Sequence, residues 1–308
     1  MRDDSQTSQS RDYRRPMLVR HSVPKTQRIR ARGIDLHVTT MGRDAAHGSD
    51  AAAVVGLHGG PGVDGSGLRL GLAPLAEMAK VVVPDQRGHG LSDLASSETW
   101  ELDEWADDLA CIIDALSLER PTVAGFSFGE WVALRHAARH PEQIGSLLIA
   151  AMTARLPSVL EGARRMGRLG GPRSEAAWLA AHDHSGQESA DDFRRHCLSL
   201  MSVRQPSPEL AAVRRDQIST PRVNEHFTGQ FTTQDLTPDV RGISCPLTVI
   251  IGELDPLTTP ELAAATTEAS PGPARLRVVP GAAHDLLVDA PEILLAEIGS
   301  SLADRRRR

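Results

Sequence analysis

Short apolar runs rich in β-branched residues recur along the chain, separated by segments with helical spacing. Runs that are apolar on both faces are typical of a parallel sheet that helices cover on both sides. The strand candidates lie at residues 53–57, 80–84, 121–124, 144–152, 245–251 and 274–279. Their alternation with helices predicts an α/β fold built on a mostly parallel, doubly wound sheet.

Helical spacing is clearest in residues 102–116, where apolar side chains repeat every three or four positions and form one stripe. Another helix is predicted over 68–79. The last helix carries an N-cap signature, in which Asp289 precedes Pro291 and Glu292. These three segments are expected to pack against the sheet.

Two weaker strands are predicted near the beginning of the chain. Residues 34–40 alternate apolar and polar positions, which is the period of a half-exposed strand. With residues 28–31 and a turn at Arg32 and Gly33, they predict an antiparallel pair at the sheet edge. The polar, arginine-rich residues 1–27 are expected to form a disordered basic arm.

The strand and helix alternation stops between residues 154 and 240, where charged and alanine-rich segments dominate. We interpret this stretch as a mostly helical lid inserted into a core of residues 28–153 and 241–308. The lid holds four aromatic residues, Trp178, Phe193, Phe227 and Phe231. They are expected either to face a substrate or to form a small core of the lid itself.

Composition narrows the possible functions of the 308-residue chain. A net charge of −6 gives no reason to expect nucleic acid or an anionic membrane as a partner. Cys111, Cys197 and Cys245 are an odd number without metal-ligand spacing, which indicates buried thiols in a reducing, cytoplasmic environment. No run approaches the length of a membrane span. The sequence leaves the oligomeric state open.

Candidate reactive residues fall where predicted strands end, namely Gly60, Asp85, Ser127, Asp255 and His284. Ligands of doubly wound sheets bind beyond the carboxyl ends of the strands. Gly125-x-Ser127-x-Gly129 lies between a strand and a helix, the setting in which a sharp turn exposes a serine hydroxyl.

A serine hydroxyl is a weak nucleophile near neutral pH and needs a neighbouring base, which an imidazole can supply. A carboxylate must then orient that imidazole. The chain order Ser127, Asp255, His284 therefore predicts a catalytic triad. The backbone N–H groups of Gly60 and Phe128 are expected to bind the developing oxyanion.

Other polar residues fit structural roles better. His58 is expected to hold the oxyanion loop through its ring nitrogens, and Asp85 with Arg87 to form a buried pair that fixes the adjoining turn. His182, His184 and His196 could suggest a metal, but no matching cysteine or carboxylate set accompanies them. No metal site and no cofactor are therefore predicted.

Five ordered motifs resemble the α/β-hydrolase superfamily, and most of all its proline iminopeptidase-like group. They are His58-Gly59-Gly60-Pro61-Gly62, Asp85-Gln86-Arg87-Gly88-x-Gly90-x-Ser92, Gly125-x-Ser127-x-Gly129, Gly252-x-x-Asp255 and Gly281-x-x-His284. The resemblance implies the α/β-hydrolase fold with an inserted helical lid. It also implies a small-molecule or short-peptide substrate.

The chain departs from that group around the substrate. The group usually has a tryptophan and a small residue where this chain has Phe128 and Glu130, and its lid glutamates bind the free amino terminus of the substrate. The nearest matching segment here is Val223-Asn224-Glu225-His226-Phe227, in which the glutamate is displaced by two positions. Glu130, Trp178, Glu225 and Phe227 are therefore candidate substrate contacts, although Glu130 also fits a role complementing the helix dipole.

The reaction predicted from these residues is cofactor-free hydrolysis of an ester, lactone or amide through an acyl-enzyme on Ser127. A proline iminopeptidase-type aminopeptidase is the first alternative. A non-hydrolytic biosynthetic cyclase or a binding protein on the same fold is the lesser one. An epoxide hydrolase or dehalogenase would need a carboxylate at position 127.

Overall fold

The computed structural model describes residues 23–42, 52–182, 187–228, 230–231 and 233–305. Most of the predicted arm, residues 1–22, lies outside them. Eight strands form one sheet in the order β1-β2-β4-β3-β5-β6-β7-β8. The strands are β1 Lys25–Ala31, β2 Ile34–Met41, β3 Ala53–Leu57, β4 Lys80–Pro84, β5 Thr122–Phe126, β6 Ser146–Ala150, β7 Leu247–Gly252 and β8 Ala274–Val279.

The sheet is parallel from β4 through β3 to β8, whereas β1, β2 and β4 pair antiparallel. Strands β3, β5, β6 and β7 are buried along their whole length, as their apolar sequences predict. The predicted hairpin is present, with Arg32 (φ 44°) and Gly33 (φ 87°) in its turn. β1 begins at Lys25, earlier than the predicted residue 28.

Helices cover both faces of the sheet. They are α1 Ser66–Leu72, α2 Leu102–Ala115, α3 Phe128–Arg139, α4 Val159–Gly170, α5 Pro172–His182, α6 Gln187–His196, α7 Pro208–Arg215, α8 Pro221–Thr228, α9 Thr237–Val240, α10 Pro260–Ala269, α11 Leu286–Asp289 and α12 Pro291–Arg305. The single helix predicted over 68–79 is split into α1 and a 3-10 turn at Ala73–Glu77, in which Pro74 lies at the start. Proline cannot donate the backbone hydrogen bond that would continue α1.

Two apolar cores lie against the sheet. One contains Trp105 of α2 and Trp131 of α3, and the other contains Leu72 of α1 and Leu294 of α12. Full burial of one such side chain contributes about 1.5–3 kcal/mol. The sheet is therefore held rigidly on both faces, which fixes the loops at its carboxyl edge.

The predicted lid corresponds to a helical insertion between β6 and β7, which we call the insertion (residues 154–240). Its first helix, α4, begins with a capping box, in which Ser158 and Glu161 bond reciprocally to each other's backbone N–H. Met166 and Trp178 belong to a separate small core within the insertion. Across the residues that the structure describes, no helix is both long and apolar enough to cross a membrane.

The beginning of the last helix differs from the prediction. Asp289 was expected to cap it, but Asp289 ends α11, and α12 begins at Pro291. The Asp289 carboxylate instead accepts backbone N–H bonds from Val203, Arg204 and Ala283 at 2.8–3.0 Å. Val203 and Arg204 lie 86 and 85 residues away from Asp289, too far along the chain for a local capping pattern to reveal them.

Candidate active site

Ser127 lies in a sharp turn between β5 and α3. Its backbone has φ 51° and ψ −123°, a conformation that costs free energy in a residue with a side chain. The flanking glycines allow close packing there, since a Cβ on Gly125 would lie 2.5 Å from the Cα of Glu130. A Cβ on Gly129 would lie 2.3 Å from the carbonyl oxygen of Leu57. The turn therefore depends on both glycines.

The three residues predicted as a triad meet at the carboxyl edge of the sheet. Ser127 Oγ lies 3.0 Å from His284 Nε2. His284 Nδ1 lies 2.9 Å from Asp255 Oδ2. Both distances are within hydrogen-bond reach, so this arrangement can move a proton from the hydroxyl to the ring.

Asp255 is completely buried, and its turn orients it for His284. Its Oδ1 atom accepts the backbone N–H groups of Leu257 (2.8 Å) and Thr258 (3.1 Å). The other oxygen, Oδ2, remains directed at the imidazole. The carboxylate is thus fixed by the backbone of its own turn rather than by another side chain.

The environment of His284 favours its charged form. Burial by itself lowers the pKa of the imidazole, but the charge of Asp255 and the hydrogen bond to it outweigh burial. The pKa of His284 is consequently raised above its ordinary value of 6.5. A base of this kind accepts a proton readily and stabilises the imidazolium that results.

The loop predicted to bind the oxyanion, residues 58–62, packs directly against Ser127. A Cβ on Gly59 would lie 3.0 Å from the Cβ of Ser127, and Gly60 lines the same cavity as Ser127. Phe128 is the first residue of α3, where backbone N–H groups have no partner within the helix. The N–H groups of Gly60 and Phe128 are therefore candidates to receive a negative oxygen.

His58 holds the oxyanion loop as expected. Its Nε2 accepts the N–H of Gln86 at 3.1 Å, so its proton is on Nδ1 and is donated to the carbonyl of Gly59 at 2.8 Å. Burial lowers the pKa of His58, which keeps the ring neutral. The side-chain amide of Gln86 returns a bond to the His58 carbonyl at 2.9 Å.

A cavity of about 370 Å³ opens onto Ser127 and His284. Its apolar wall comes from the core and the insertion, and includes Val63, Leu68, Leu198, Met201, Leu257, Leu286 and Leu287. A larger cavity of about 690 Å³ lies at the amino ends of β6, β7 and β8, where Ser146, Leu247 and Ala274 line it. It contains none of the triad residues, so its size does not make it the active site.

The polar side of the smaller cavity includes residues that the sequence did not single out. Arg214 of α7 forms a two-pronged ion pair with Asp285, with Nη2 3.1 Å from Oδ1 and Nη1 2.5 Å from Oδ2. Asp64 accepts from the N–H of Ser66 at 2.8 Å and from that of Ile218 at 2.9 Å. Both cavity-lining carboxylates are thus already engaged. In the sequence, the position of Asp285 directly after His284 was the signal that could have placed Asp285 at this cavity.

The four predicted substrate contacts do not line this cavity. Glu130 is completely buried, and Glu225 is exposed on α8. Trp178 lies in the small core of the insertion, where its Nε1 donates to the carbonyl of Val159 at 3.0 Å. Phe227 packs against Phe128 with ring centroids 4.9 Å apart. The aromatic residues serve as packing because their large apolar surface is buried between helices.

Asp85 and Arg87 are buried, but they do not pair with each other as expected. Asp85 binds Arg69 at 2.7 Å, and Arg87 binds both carboxylate oxygens of Asp108 at 2.6 and 2.8 Å. Arg87 lies in the turn that follows β4, and the two side chains reach partners on different elements, α1 for Asp85 and α2 for Arg87.

The histidines considered for a metal do not form a site within the described part of the chain. His182 binds the carbonyl of Trp178 at 2.8 Å, and His184 lies outside the described residues. Among the described residues no group of three or more histidine, cysteine or acidic side chains could hold a metal ion. Burial raises the pKa of Cys197 and Cys245 to about 11, so both are thiols at neutral pH.

A family model described as the alpha/beta hydrolase fold matches residues 52–291, and the chain belongs to this family. A proline iminopeptidase of Heyndrickxia coagulans is 27% identical over 266 residues, covering 81% of this chain and 90% of that protein. A 2-hydroxymuconate semialdehyde hydrolase of Pseudomonas sp. (strain CF600) is 37% identical over 95 residues, covering 30% of this chain and 34% of that protein.

Solved structures agree on the fold. The proline iminopeptidase of Mycobacterium smegmatis superposes with a TM-score of 0.76 at 23% identity, covering 91% of this chain and 98% of that one. The enol-lactonase of Burkholderia xenovorans LB400 superposes with a TM-score of 0.64 at 24% identity, covering 90% and 100%. The protein is thus a hydrolase enzyme of the α/β-hydrolase fold. Within that family it is similar to the proline iminopeptidase-like group.

Proposed function

We propose that this hydrolase uses Ser127 as a nucleophile and cleaves an ester, lactone or amide through an acyl-enzyme. The proposal rests mainly on the chain of contacts from Ser127 Oγ through His284 to Asp255, at 3.0 and 2.9 Å. The three residues come from separate strand ends, and nothing local in the sequence requires them to meet.

In this mechanism Ser127 Oγ attacks the acyl carbon while His284 Nε2 takes the hydroxyl proton. The carbonyl oxygen becomes an oxyanion, for which the N–H groups of Phe128 and Gly60 are the donors. His284 then gives its proton to the leaving group, and water hydrolyses the acyl-enzyme by the reverse sequence of proton transfers. Removing one oxyanion donor typically lowers the rate about 100- to 1,000-fold.

The cavity favours a small hydrophobic acyl group. Its walls are largely aliphatic, and about 370 Å³ accommodates only a compact acyl moiety. The Arg214–Asp285 pair gives it one polar end. We infer a neutral acyl ester, lactone or amide as the substrate class.

Aminopeptidase activity is the second candidate because a proline iminopeptidase matches most of the chain. A free amino terminus needs a carboxylate counter-charge. Of the carboxylates lining the described cavity, Asp64 accepts backbone N–H bonds and Asp285 binds Arg214. An ammonium group would have to compete with these contacts, which places the aminopeptidase second.

Parallel turnover assays test both parts of the proposal. Short p-nitrophenyl acyl esters should be hydrolysed faster than prolyl and other aminoacyl arylamides. Ser127→Ala should lower ester turnover by roughly 10⁴- to 10⁶-fold, as for other serine nucleophiles. Ser97→Ala, at an exposed serine, is the matched control and should leave turnover unchanged.

Two outcomes would contradict the proposal. Ester turnover that survives Ser127→Ala would remove the nucleophile assignment. Turnover of free-amine substrates alone would reverse the order of the two substrate classes while leaving the nucleophile in place.

A further inference from the structure

Gln86 is a buried amide that the proposed mechanism does not use. It lies just after β4 and is 5% exposed. Val55 of β3 pairs with Val82 of β4 in parallel register, so the carboxyl ends of the two strands bring His58 beside Gln86. The side-chain amide of Gln86 donates to the carbonyl oxygen of His58 at 2.9 Å. Across the described residues this is the only hydrogen bond of that side chain, since its Oε1 has no partner.

The Gly60 N–H, one of the two candidate oxyanion donors, belongs to the peptide unit that joins Gly59 to Gly60. A trans peptide unit is planar, so the direction of the Gly59 carbonyl fixes the opposite direction of the Gly60 N–H. Gly60 has φ 121°, and two successive glycines allow this peptide unit many other orientations. The donor therefore points at an oxyanion only if the Gly59 carbonyl is held.

His58 holds that carbonyl, and Gln86 holds His58. The Nδ1–H of His58 donates to the Gly59 carbonyl at 2.8 Å. The ring can donate there because the backbone N–H of Gln86 donates to its Nε2 at 3.1 Å and so selects the Nδ1–H tautomer. The side-chain amide of Gln86 adds a second contact, on the backbone of His58. Gln86 thus fixes both the tautomer of the ring and the position of the residue that carries it.

Contacts between this loop and the insertion act further from the Gly60 N–H. Gly62 accepts the N–H of Thr220 at 2.8 Å, and the N–H of Asp64 donates to the carbonyl of Ile218 at 3.1 Å. These bonds begin two residues after Gly60, so they do not hold the peptide unit that precedes it. The orientation of that unit depends on His58 and Gln86.

We propose that Gln86 is a positioning residue for the oxyanion hole, acting through His58 on the Gly60 N–H. Without its amide donor the backbone of His58 loses its fixed position, and the Gly60 N–H is no longer aimed at the oxyanion. The substrate carries no such charge before the attack, so substrate binding should change little. This inference rests on the proposed serine mechanism.

Gln86→Met tests the positioning role with two inhibitors. Methionine has a similar length but no donor, so kcat/KM for a short p-nitrophenyl acyl ester should fall by about tenfold to a hundredfold. A short alkyl trifluoromethyl ketone, to which Ser127 adds to form an oxyanion, should lose affinity by a similar factor. The matching methyl ketone, which binds without forming an oxyanion, should bind the variant and the wild type equally. Gln27→Met, at an exposed glutamine of β1, is the matched control and should follow the wild type.

Gln86→Glu tests the amide donor itself. At alkaline pH the introduced carboxylate has no proton to donate to the His58 carbonyl, whereas the protonated carboxyl group restores that bond. Because burial raises the pKa of a carboxyl group, kcat/KM relative to the wild type should rise by about tenfold from alkaline to mildly acidic pH. The ratio removes the effect of protonating His284, which occurs in both proteins.

The groups around Gln86 do not change their charge in this range. Burial lowers the pKa of His58, and it lowers the pKa of His89 to about 3, so both rings stay neutral. At Asp85 the effect of burial is outweighed by Arg69, so the pKa of that carboxyl group is lowered and it stays ionised. Gln27→Glu is the control for an added exposed carboxylate and should show a ratio that does not vary with pH.

Wild-type kinetics in Gln86→Met would overturn the proposal, and so would an equal loss of affinity for the two ketones. A ratio that does not vary with pH in Gln86→Glu would overturn it as well. That comparison follows one protein across pH, so it decides the matter even if Gln86→Met does not fold. Ester turnover that persists in Ser127→Ala contradicts the serine mechanism itself, an outcome separate from those of the Gln86 variants.

Discussion

At the scale of single residues, the site depends on how three side chains are held. Ser127 is fixed by a strained backbone, and Asp255 by the N–H groups of its own turn. His284 lies between them and takes its properties from both. The chemistry proposed for Ser127 is therefore controlled by the state of His284.

Removing the charge of Asp255 should change both the rate and its pH dependence. Asp255→Asn is expected to lower kcat about 10⁴-fold, because the imidazole loses its orienting carboxylate. His284 is active only when neutral, and Asp255 raises its pKa, so the acidic limb of kcat/KM should move to lower pH in the variant. The measurement is the pH profile of ester hydrolysis in both proteins.

Asp285→Asn provides a comparison for that experiment. Asp285 also raises the pKa of His284, but its effect is the smaller of the two and it pairs with Arg214. The acidic limb should therefore move less than in Asp255→Asn. An equal shift in the two variants would contradict the role assigned to Asp255.

Sequence reasoning predicted that Ser127, Asp255 and His284 meet at one sheet edge because they follow strands whose apolar patterns are strong, and the structure brings the three side chains together. It did not locate Arg214, since α7 is a short helix in a region without strand and helix alternation. It also placed Glu130 and Phe227 at the substrate. Whether a side chain on such a helix points to a cavity or into a core depends on packing that one sequence does not encode locally.

At the scale of elements, the insertion is tied to the turn that carries His284. The buried carboxylate of Asp289 binds the backbone of Val203 and Arg204 on one side and of Ala283 on the other. The N–H of Asp285 adds a bond to the carbonyl of Met201 at 2.7 Å. These contacts fix the insertion beside His284.

Asp289→Asn should weaken this connection. The amide directs N–H donors at backbone N–H groups, so one or more buried donors lose their acceptor, at a cost of about 1–3 kcal/mol. Chemical denaturation measures the loss of stability, and ester turnover should fall with it. Asp304→Asn, on the exposed end of α12, is the control and should change stability by less than about 0.5 kcal/mol.

A stability of Asp289→Asn equal to that of the wild type would show that these bonds contribute nothing to the free energy of unfolding.

The same residue shows where sequence patterns fail at this scale. Asp289, Pro291 and Glu292 match a local helix-cap pattern. The Asp289 carboxylate nevertheless accepts the backbone N–H of Arg204, which lies 85 residues away in the sequence. The strands were easier to predict because burial on both faces determines their composition.

At the scale of the whole molecule, the insertion and the sheet meet at both flanks of the triad. Asp289 joins them at the His284 turn, and Arg165 of α4 joins them at the Asp255 turn. Arg165 donates to the carbonyls of Asp255 at 2.5 Å and Glu253 at 2.9 Å. The position of the insertion and the geometry of the triad are therefore coupled.

Arg165→Gln should lower ester turnover by about tenfold or more because the Asp255 turn loses its support from the insertion. Arg164→Gln, at the exposed neighbouring residue of the same helix, should leave turnover unchanged. Steady-state kinetics of both variants with one acyl ester check the prediction. Equal kinetics in the two variants would show that the insertion does not support the Asp255 turn.

The central claim is that Ser127 forms the covalent intermediate. Its most direct test is peptide mapping by mass spectrometry after the protein reacts with a fluorophosphonate. The account predicts a single phosphonylated site, on Ser127, that disappears when His284 is replaced by alanine. Modification of another residue with Ser127 unmodified would contradict it.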